Sequence, residues 1–464
     1  MDCRPFIHFA AIVAITGCSC SKRRAGGAPD HLQPSPGTDA ADTALAAQLP
    51  FHCVPVSDGA ELALGSVADD DDDDDSGLDV PFGINVGQAV GFEGGFAVSA
   101  IDGRGGKSHA IIAILGPSAE HGRQLDLGRV FGDADPPRMA GNAHSLVVAL
   151  ADADAEGRTM RLLRIDNAMT AARITKGADV SVSQNPSAAF TIAVNAERGV
   201  VSWEQTDKKT EKGQIVVAPF AVQGLSVSPK PLVVSDRVAD AESPQVTARP
   251  GGYWLAWVQS DTPSIGHPSA KQAPPAPSAH ATPTSADFDL EQAAVDLGER
   301  RLLAAALDLD GRAIKRPLPV TQGTSHVVAY DLATLQDGSA LLAWRDDETS
   351  PGVESQVVRF GHLGLDGHIE YYRIEDDSIG VGAPQLLFDA TMTDNDRTWL
   401  AVGNTGERVS LVRLQANGKP SSAVVADADL GVSNPLVRYG GELLVARQQG
   451  KGVELEPLRC HFND

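Results

Sequence analysis

The chain is short of aromatic residues, of basic charge and of long apolar runs, and each shortage excludes something. Phe, Trp and Tyr make up only 5% of the 464 residues, so a large core must be built from Val, Leu, Ile and Ala, with the five tryptophans at particular points. Lys and Arg number 38 against 61 Asp and Glu, a net charge of -23. A surface of that sign repels phosphate backbones and anionic headgroups alike, which excludes nucleic acid as the principal partner. Apart from Phe6 to Ile15, which has the length of a signal-peptide core, no apolar run approaches the span of a bilayer. HExxH, the G-x-S-x-G elbow, the phosphate-binding loop and the dinucleotide glycine set are all missing, so no catalytic motif marks an activity.

What the chain does have is a refrain. Leu255-Ala256-Trp257 and Leu342-Ala343-Trp344 are its clearest copies, with relatives at Val201-Ser202-Trp203, Val148-Ala149-Leu150, Val98-Ser99-Ala100, Leu400-Ala401-Val402 and Val445-Ala446-Arg447. Each lies about fifty residues from the next except across one long interval. A proline or a substitute opens each unit, at Gly87, Pro137, Pro186, Pro244, His326, Pro384 and Pro435. Proline has no amide donor, so the start of a strand tolerates it. The fullest copy runs from Ser243 through a Gly251-Gly252 turn, Tyr253 to Val258, Arg301 to Leu309, an Asp310-Gly311 turn and Arg312 to Val320. That is four strands joined by two tight hairpins and one longer loop. A unit of this kind cannot bury its own apolar face and must pack against its neighbours. Trp203, Trp257 and Trp344 fall at equivalent places in the second strand, as packing residues between units.

Seven such units resemble a seven-bladed β-propeller of the degenerate type found in bacterial lipoproteins. The chain has neither the Gly-His and Trp-Asp pair of WD40 blades nor the Ser-x-Asp-x-Gly-x-Thr-Trp box of sialidase-like ones. The resemblance implies an all-β fold of four-stranded antiparallel blades around a channel, spanning residues 49–464. After Pro435 only three strands fit, so the segment 49–56, or the apolar stretch after it, is expected to complete the last blade. Cys53 and Cys460 would then meet at one sheet edge as a disulfide. Their mirrored contexts, Phe51-His52-Cys53 and Cys460-His461-Phe462, leave a two-His, two-Cys zinc site as the alternative.

Residues 1–17 read as a signal peptide, and Ile15-Thr16-Gly17-Cys18 resembles the bacterial lipobox, in which the cysteine is acylated. The weak basic segment, with Asp2 beside Arg4, departs from that pattern, and an ordinary secretory signal is the alternative. The resemblance implies attachment to a bacterial membrane by the lipid on Cys18 alone, with the chain facing the periplasm or the exterior. Residues 18–48 are polar and rich in Gly, Pro, Ala and Asp, a tether. A Pro- and Ala-rich insertion, 262–299, interrupts the fourth unit as a surface excursion.

On the propeller map, the loops joining blades and those between second and third strands share one face, and they are acidic. They carry Asp133, Asp135, Asp179, Asp236, Asp240, Glu242, Asp376, Asp377, Asp427 and Asp429, then Asp152, Asp154, Glu156, Glu204, Asp207, Asp346, Asp347 and Glu348, besides the run Asp69 to Asp75. Solvated turn residues explain this in the simplest way. The functional reading is a binding or scaffolding module that takes a cationic ligand or a protein on this face, as a monomer. Asp152, Asp154 and Glu156 before Gly157 resemble the opening of a calcium loop, although Leu163 stands where its closing Glu belongs. No other cofactor is expected. The alternative is a propeller hydrolase or lyase, acting on glycans or peptides with carboxylates at the channel mouth.

Overall fold

The computed structural model describes residues 51–56 and 62–64 and then, with short gaps, 84–462; the long segments 1–50, 65–83 and 261–298 lie outside the described residues. The signal peptide, Cys18, the tether, the Asp run and nearly all of the insertion therefore fall outside it.

The strands form seven antiparallel sheets in chain order, each a meander of inner, second, third and outer strand. The inner strands are Ile84–Phe92, Arg138–Gly141, Phe190–Asn195, Asp240–Arg249, Val327–Thr334, Pro384–Phe388 and Ser433–Tyr439. Each packs against the inner strand of the next sheet, and the seventh returns to the first. The fold is a seven-bladed β-propeller.

The pattern behind the ring is burial on both faces of every second strand. Gly252–Ser260 is buried at all nine positions. Its Leu255 and Trp257 pack with Val200, Ile215 and Val217 of the third blade, whereas Trp254, Ala256 and Val258 pack with Leu342 and Trp344 of the fifth. Alternate side chains thus enter alternate interfaces, the period of two that a strand imposes. Trp203, Trp257 and Trp344, each at most 2% exposed, all face the preceding blade.

Polar side chains then lock one blade to the next. Gln88 Oε1 accepts the Met139 amide at 2.8 Å, and Asn195 Nδ2 donates to the carbonyls of Arg249 and Gly252. Gln245 Nε2 donates to Tyr330 O at 2.8 Å, Asp331 Oδ2 accepts the Leu386 amide at 2.7 Å, and Asp389 Oδ2 accepts that of Gly441 at 2.8 Å. Buried polar groups satisfied in this way fix the blade spacing as well as the register.

Two details differ from the sequence reading. Pro244 and Pro435 lie inside their inner strands, each at a bulge where the pairing register slips, between Glu242 and Gln245 and between Pro435 and Val437. Pro244 is itself unpaired at its bulge, a position that suits a residue without an amide, whereas Pro435 still pairs with Val445 and the register slips just after it. Gly87 replaces proline for a steric reason: a Cβ there would come within 2.3 Å of Pro136. The outer strand expected over Arg312 to Val320 is reduced to Leu318–Pro319 and a lone bridge from Leu307 to Ala313.

The last blade is closed from the N-terminal side in two pieces. Phe51–Pro55 pairs with Leu458 to Phe462, and Leu62–Leu64 with Val453 to Leu455, both on the same strand Gly452–Phe462. Cys53 lies directly opposite Cys460, and the two form a disulfide across 407 residues of chain. A bonded pair of sulfurs leaves no thiolates for the zinc alternative. Cross-linking so long a loop restricts the unfolded chain by about 6 kcal/mol in the chain-entropy model. Cys53→Ser is therefore expected to lower the denaturant midpoint by that equivalent, and reductant to lower the wild type to the variant's midpoint without shifting the variant.

Candidate active site

The inner strand of the fourth blade enters the channel at Asp240 and bulges two residues later. Ser243, at the bulge, has a φ of 54°, a left-handed conformation that a non-glycine residue adopts only where its surroundings hold it. Those surroundings are identifiable. The Tyr330 hydroxyl, from the fifth blade, donates to the Ser243 carbonyl and lies 2.9 Å from that of Ala256. On its other side the Ser243 amide donates to the carboxyl of Glu204.

Glu204 follows Trp203 on the second strand of the third blade, and strand alternation decides its direction. Trp203 packs toward the second blade, so Glu204 turns to the fourth. There it meets Glu242 and Asp240. Asp240 is buried, its Oδ1 accepting the Gly213 amide at 2.6 Å. Glu242 forms an ion pair with Arg300, whose Nε donates to Val327 O at 3.0 Å. Both Glu204 and Glu242 keep partial solvent access.

The pair is electrostatically unequal. Burial, then the charge of Glu242 and, more weakly, that of Asp240 push the Glu204 carboxyl up to about 8, against the pull of the Ser243 amide. Glu204 is therefore mostly protonated at neutral pH, while Glu242 faces the Arg300 guanidinium. Burial also pushes the Tyr330 phenol well above its ordinary value, so it stays a neutral donor. The two carboxyls stand together at the end of the channel where the blade-joining loops emerge.

The rest of the acidic face is largely compensated. Asp347 makes a bidentate contact with Arg345 at 2.8 and 3.0 Å, Asp179 pairs with Arg161, and Asp346, only 4% exposed, accepts the His326 amide at 2.8 Å. Asp207 caps its own turn by accepting the amides of Lys209 and Thr210. Asp152 and Asp154 lie on the strand Ser145–Asp154, opposite Thr159 and Gly157, and Glu156 lies outside the described residues. Among the described residues, no three His, Cys, Asp or Glu side chains gather as metal ligands would.

Two other places draw attention and lead elsewhere. Ser339 Oγ lies 2.7 Å from His362 Nε2, but its hydroxyl donates to Asp337 and the residue is buried, so the histidine is not placed to take its proton. At the opposite end of the channel a recess of about 290 Å³ is lined by Asn195, Arg249, Thr334 and Phe388. Its polar groups are engaged: Arg249 donates to the carbonyls of Tyr253, Pro250 and Leu307, and Asn195 to two more.

No protein-family profile matches the sequence, and no curated protein does. Solved structures with a similar course of strands include an α-L-arabinofuranosidase of Fusarium graminearum (TM-score 0.42, 8% identity, covering 68% of this chain and 89% of that one). They also include the polysaccharide lyase Uly1 (0.45, 9%, 81% and 90%) and the β-propeller domain of the Trilobed protease from Pyrococcus furiosus (0.45, 8%, 81% and 93%). Likeness at this level says nothing of activity.

Because the folded protein binds the Glu204 proton more tightly than the unfolded chain does, stability is fully present at acid pH and falls as pH rises from about 4.5 through about 8. Glu204→Gln is expected to flatten that decline, as read from melting temperatures across the window.

Proposed function

We propose that the protein is a glycan-cleaving enzyme, a hydrolase or lyase, with Glu204 as general acid and Glu242 as general base at the channel mouth. The observation that carries this reading is the convergence of two partly accessible carboxyls from neighbouring blades, Glu204 raised by burial and Glu242 set against the Arg300 guanidinium. Glycosidic C–O cleavage needs one acid to protonate the leaving oxygen and one carboxylate acting on the far side of the sugar. Environments that push two carboxyls apart supply that division of labour. In hydrolysis, Glu204 gives its proton to the glycosidic oxygen as the bond to the anomeric carbon breaks, and Glu242 takes one from the attacking water. In elimination, Glu242 takes a carbon-bound proton and Glu204 protonates the departing oxygen. Either way the pair ends with its protonation exchanged and solvent resets it.

Arg300 and the Ser243 bulge are positioning elements. Arg300 orients Glu242 through their ion pair, and the left-handed turn at Ser243 aims an amide at Glu204. The reading of the loop face as a general docking surface draws less support, since Asp179, Asp207, Asp346 and Asp347 are engaged within the protein.

Glu204→Gln is expected to lower turnover by about 10²–10⁴-fold on any glycan the protein cleaves, measured by reducing-end release or by absorbance of an unsaturated product. The wild type should lose activity as pH rises through about 8. Wild-type rates in both Glu204→Gln and Glu242→Gln would remove the pair from the chemistry. We place the enzyme at the cell envelope, held by the lipid on Cys18; Cys18→Ala should move it from the membrane to the soluble fraction, and an unchanged distribution rules the anchor out.

A further inference from the structure

The inner strands bring one polar side chain per blade to a common height in the channel. Opposite the small residue at the centre of each refrain, the inner strands of the first six blades carry Gln88, Arg138, Thr191, Gln245, Asp331 and Gln385. Residues opposite one another in an antiparallel pair share a face, and this face meets the following blade, as the packing of Ala149, Ala256, Ala343 and Ala401 shows. The bonds agree. Gln88 and Asp331 accept the amides of Met139 and Leu386, the residues after Arg138 and Gln385, and Gln245 donates to the carbonyl of Tyr330, the residue before Asp331. All six keep partial solvent access. Inner strands have a neighbour on either side, so that access comes from the channel.

One member departs from the pattern. Arg138 makes no such bond to the next blade: its Nε is buried without a hydrogen-bond partner, and among the described residues its guanidinium has no carboxylate at ion-pair distance. A desolvated guanidinium without an acceptor is costly, and a bound anion removes that cost. Its charge is nevertheless felt elsewhere. Burial pushes the Asp331 carboxyl up to about 6, against the pull of the Leu386 and Leu332 amides and of the Arg138 charge. The second and fifth blades are not neighbours, so Arg138 acts on Asp331 across the channel. Asp331 Oδ1 accepts the Leu332 amide at 2.9 Å and Oδ2 that of Leu386 at 2.7 Å, which leaves one lone pair on each oxygen for a hydroxyl. In their bonds to the next blade Gln88 uses its Oε1 and Gln245 its Nε2, so each keeps the other half of its amide. Glu242 is paired with Val258, two residues beyond Ala256, which sets the ring about 7 Å deeper than the carboxyl pair at strand rise, roughly one pyranose unit.

We propose that this ring is a sugar-acid subsite, in which Arg138 holds the carboxylate of a uronate and Asp331, Gln88 and Gln245 take its hydroxyls, one unit below Glu204 and Glu242. On the glycan-cleaving reading, on which the inference rests, that uronate is the terminal unit of the polymer. The arginine fork matches a carboxylate with two parallel bonds, and the amides and spare lone pairs match a polyol.

The test is the binding of single sugars to the full chain, which needs no cleavage. Galacturonate and glucuronate, galactose and glucose, and glycine are the probes, in titration calorimetry. A uronate should bind about tenfold or more tightly than its neutral counterpart, and Arg138→Gln should remove that advantage. Arg138→Lys keeps the charge without the fork and should retain part of it, and it decides the matter if the glutamine variant melts early. Neutral sugars bound as well as the uronates, a preference undiminished in both variants, or glycine bound as tightly as a uronate would each overturn the proposal. If uronates bind as expected while Glu204→Gln leaves glycan cleavage intact, the acid–base reading falls alone; if Glu204→Gln abolishes cleavage but no uronate preference appears, the channel subsite falls alone.

Discussion

Everything in this molecule depends on second strands that bury both faces. A strand with one wet face would need only one neighbour, but one such as Gly252–Ser260, buried throughout, needs a blade on either side. Repeated seven times, that demand is met only when the last blade reaches the first. The seven apolar clusters accordingly straddle seven blade interfaces, none being confined to a single sheet. Small residues on alternate positions, as in the repeated Leu-Ala phrase, set how closely the blades approach; Trp203, Trp257 and Trp344 fill the wider gaps toward the preceding blade, and Trp254 and Trp399 those toward the next.

That organisation was legible because it is periodic. The refrain, the turn pairs and the truncated last unit each follow from local chemistry, and together they define blade number, closure and the Cys53–Cys460 bond. The outer strands were less legible, since an edge strand needs neither burial nor a full ladder and the fourth blade manages with Leu318–Pro319. The bulges were invisible for a related reason: a proline at a strand start and one at a bulge leave the same mark in a sequence.

The site shows the limit more sharply. Glu204, Asp240 and Glu242 all stand out as acidic residues of one face, but nothing in a count of loops separates them from Asp346 or Asp347. What separates them is partners. Arg345 lies two residues from Asp347 and answers it directly, whereas Glu204 reaches across a blade interface to an amide exposed by a bulge in another strand. Arg300 arrives from beyond the insertion to meet Glu242. Convergence of groups so far apart in sequence depends on register, and the one-residue slip at the bulge is a register event.

The position of the disulfide gives the ring a mechanical property. Residues 51 and 52 precede Cys53 and pair with the final residues of the last strand, so a pull on the chain from its N-terminal side can unzip only those two before the load reaches a covalent bond. From there force enters the last strand at Cys460, in the middle of a sheet. Peeling, the easiest way to open a ring closed by hydrogen bonds, is halted almost at once. A protein held by that end can be tugged by its surroundings without its channel losing shape.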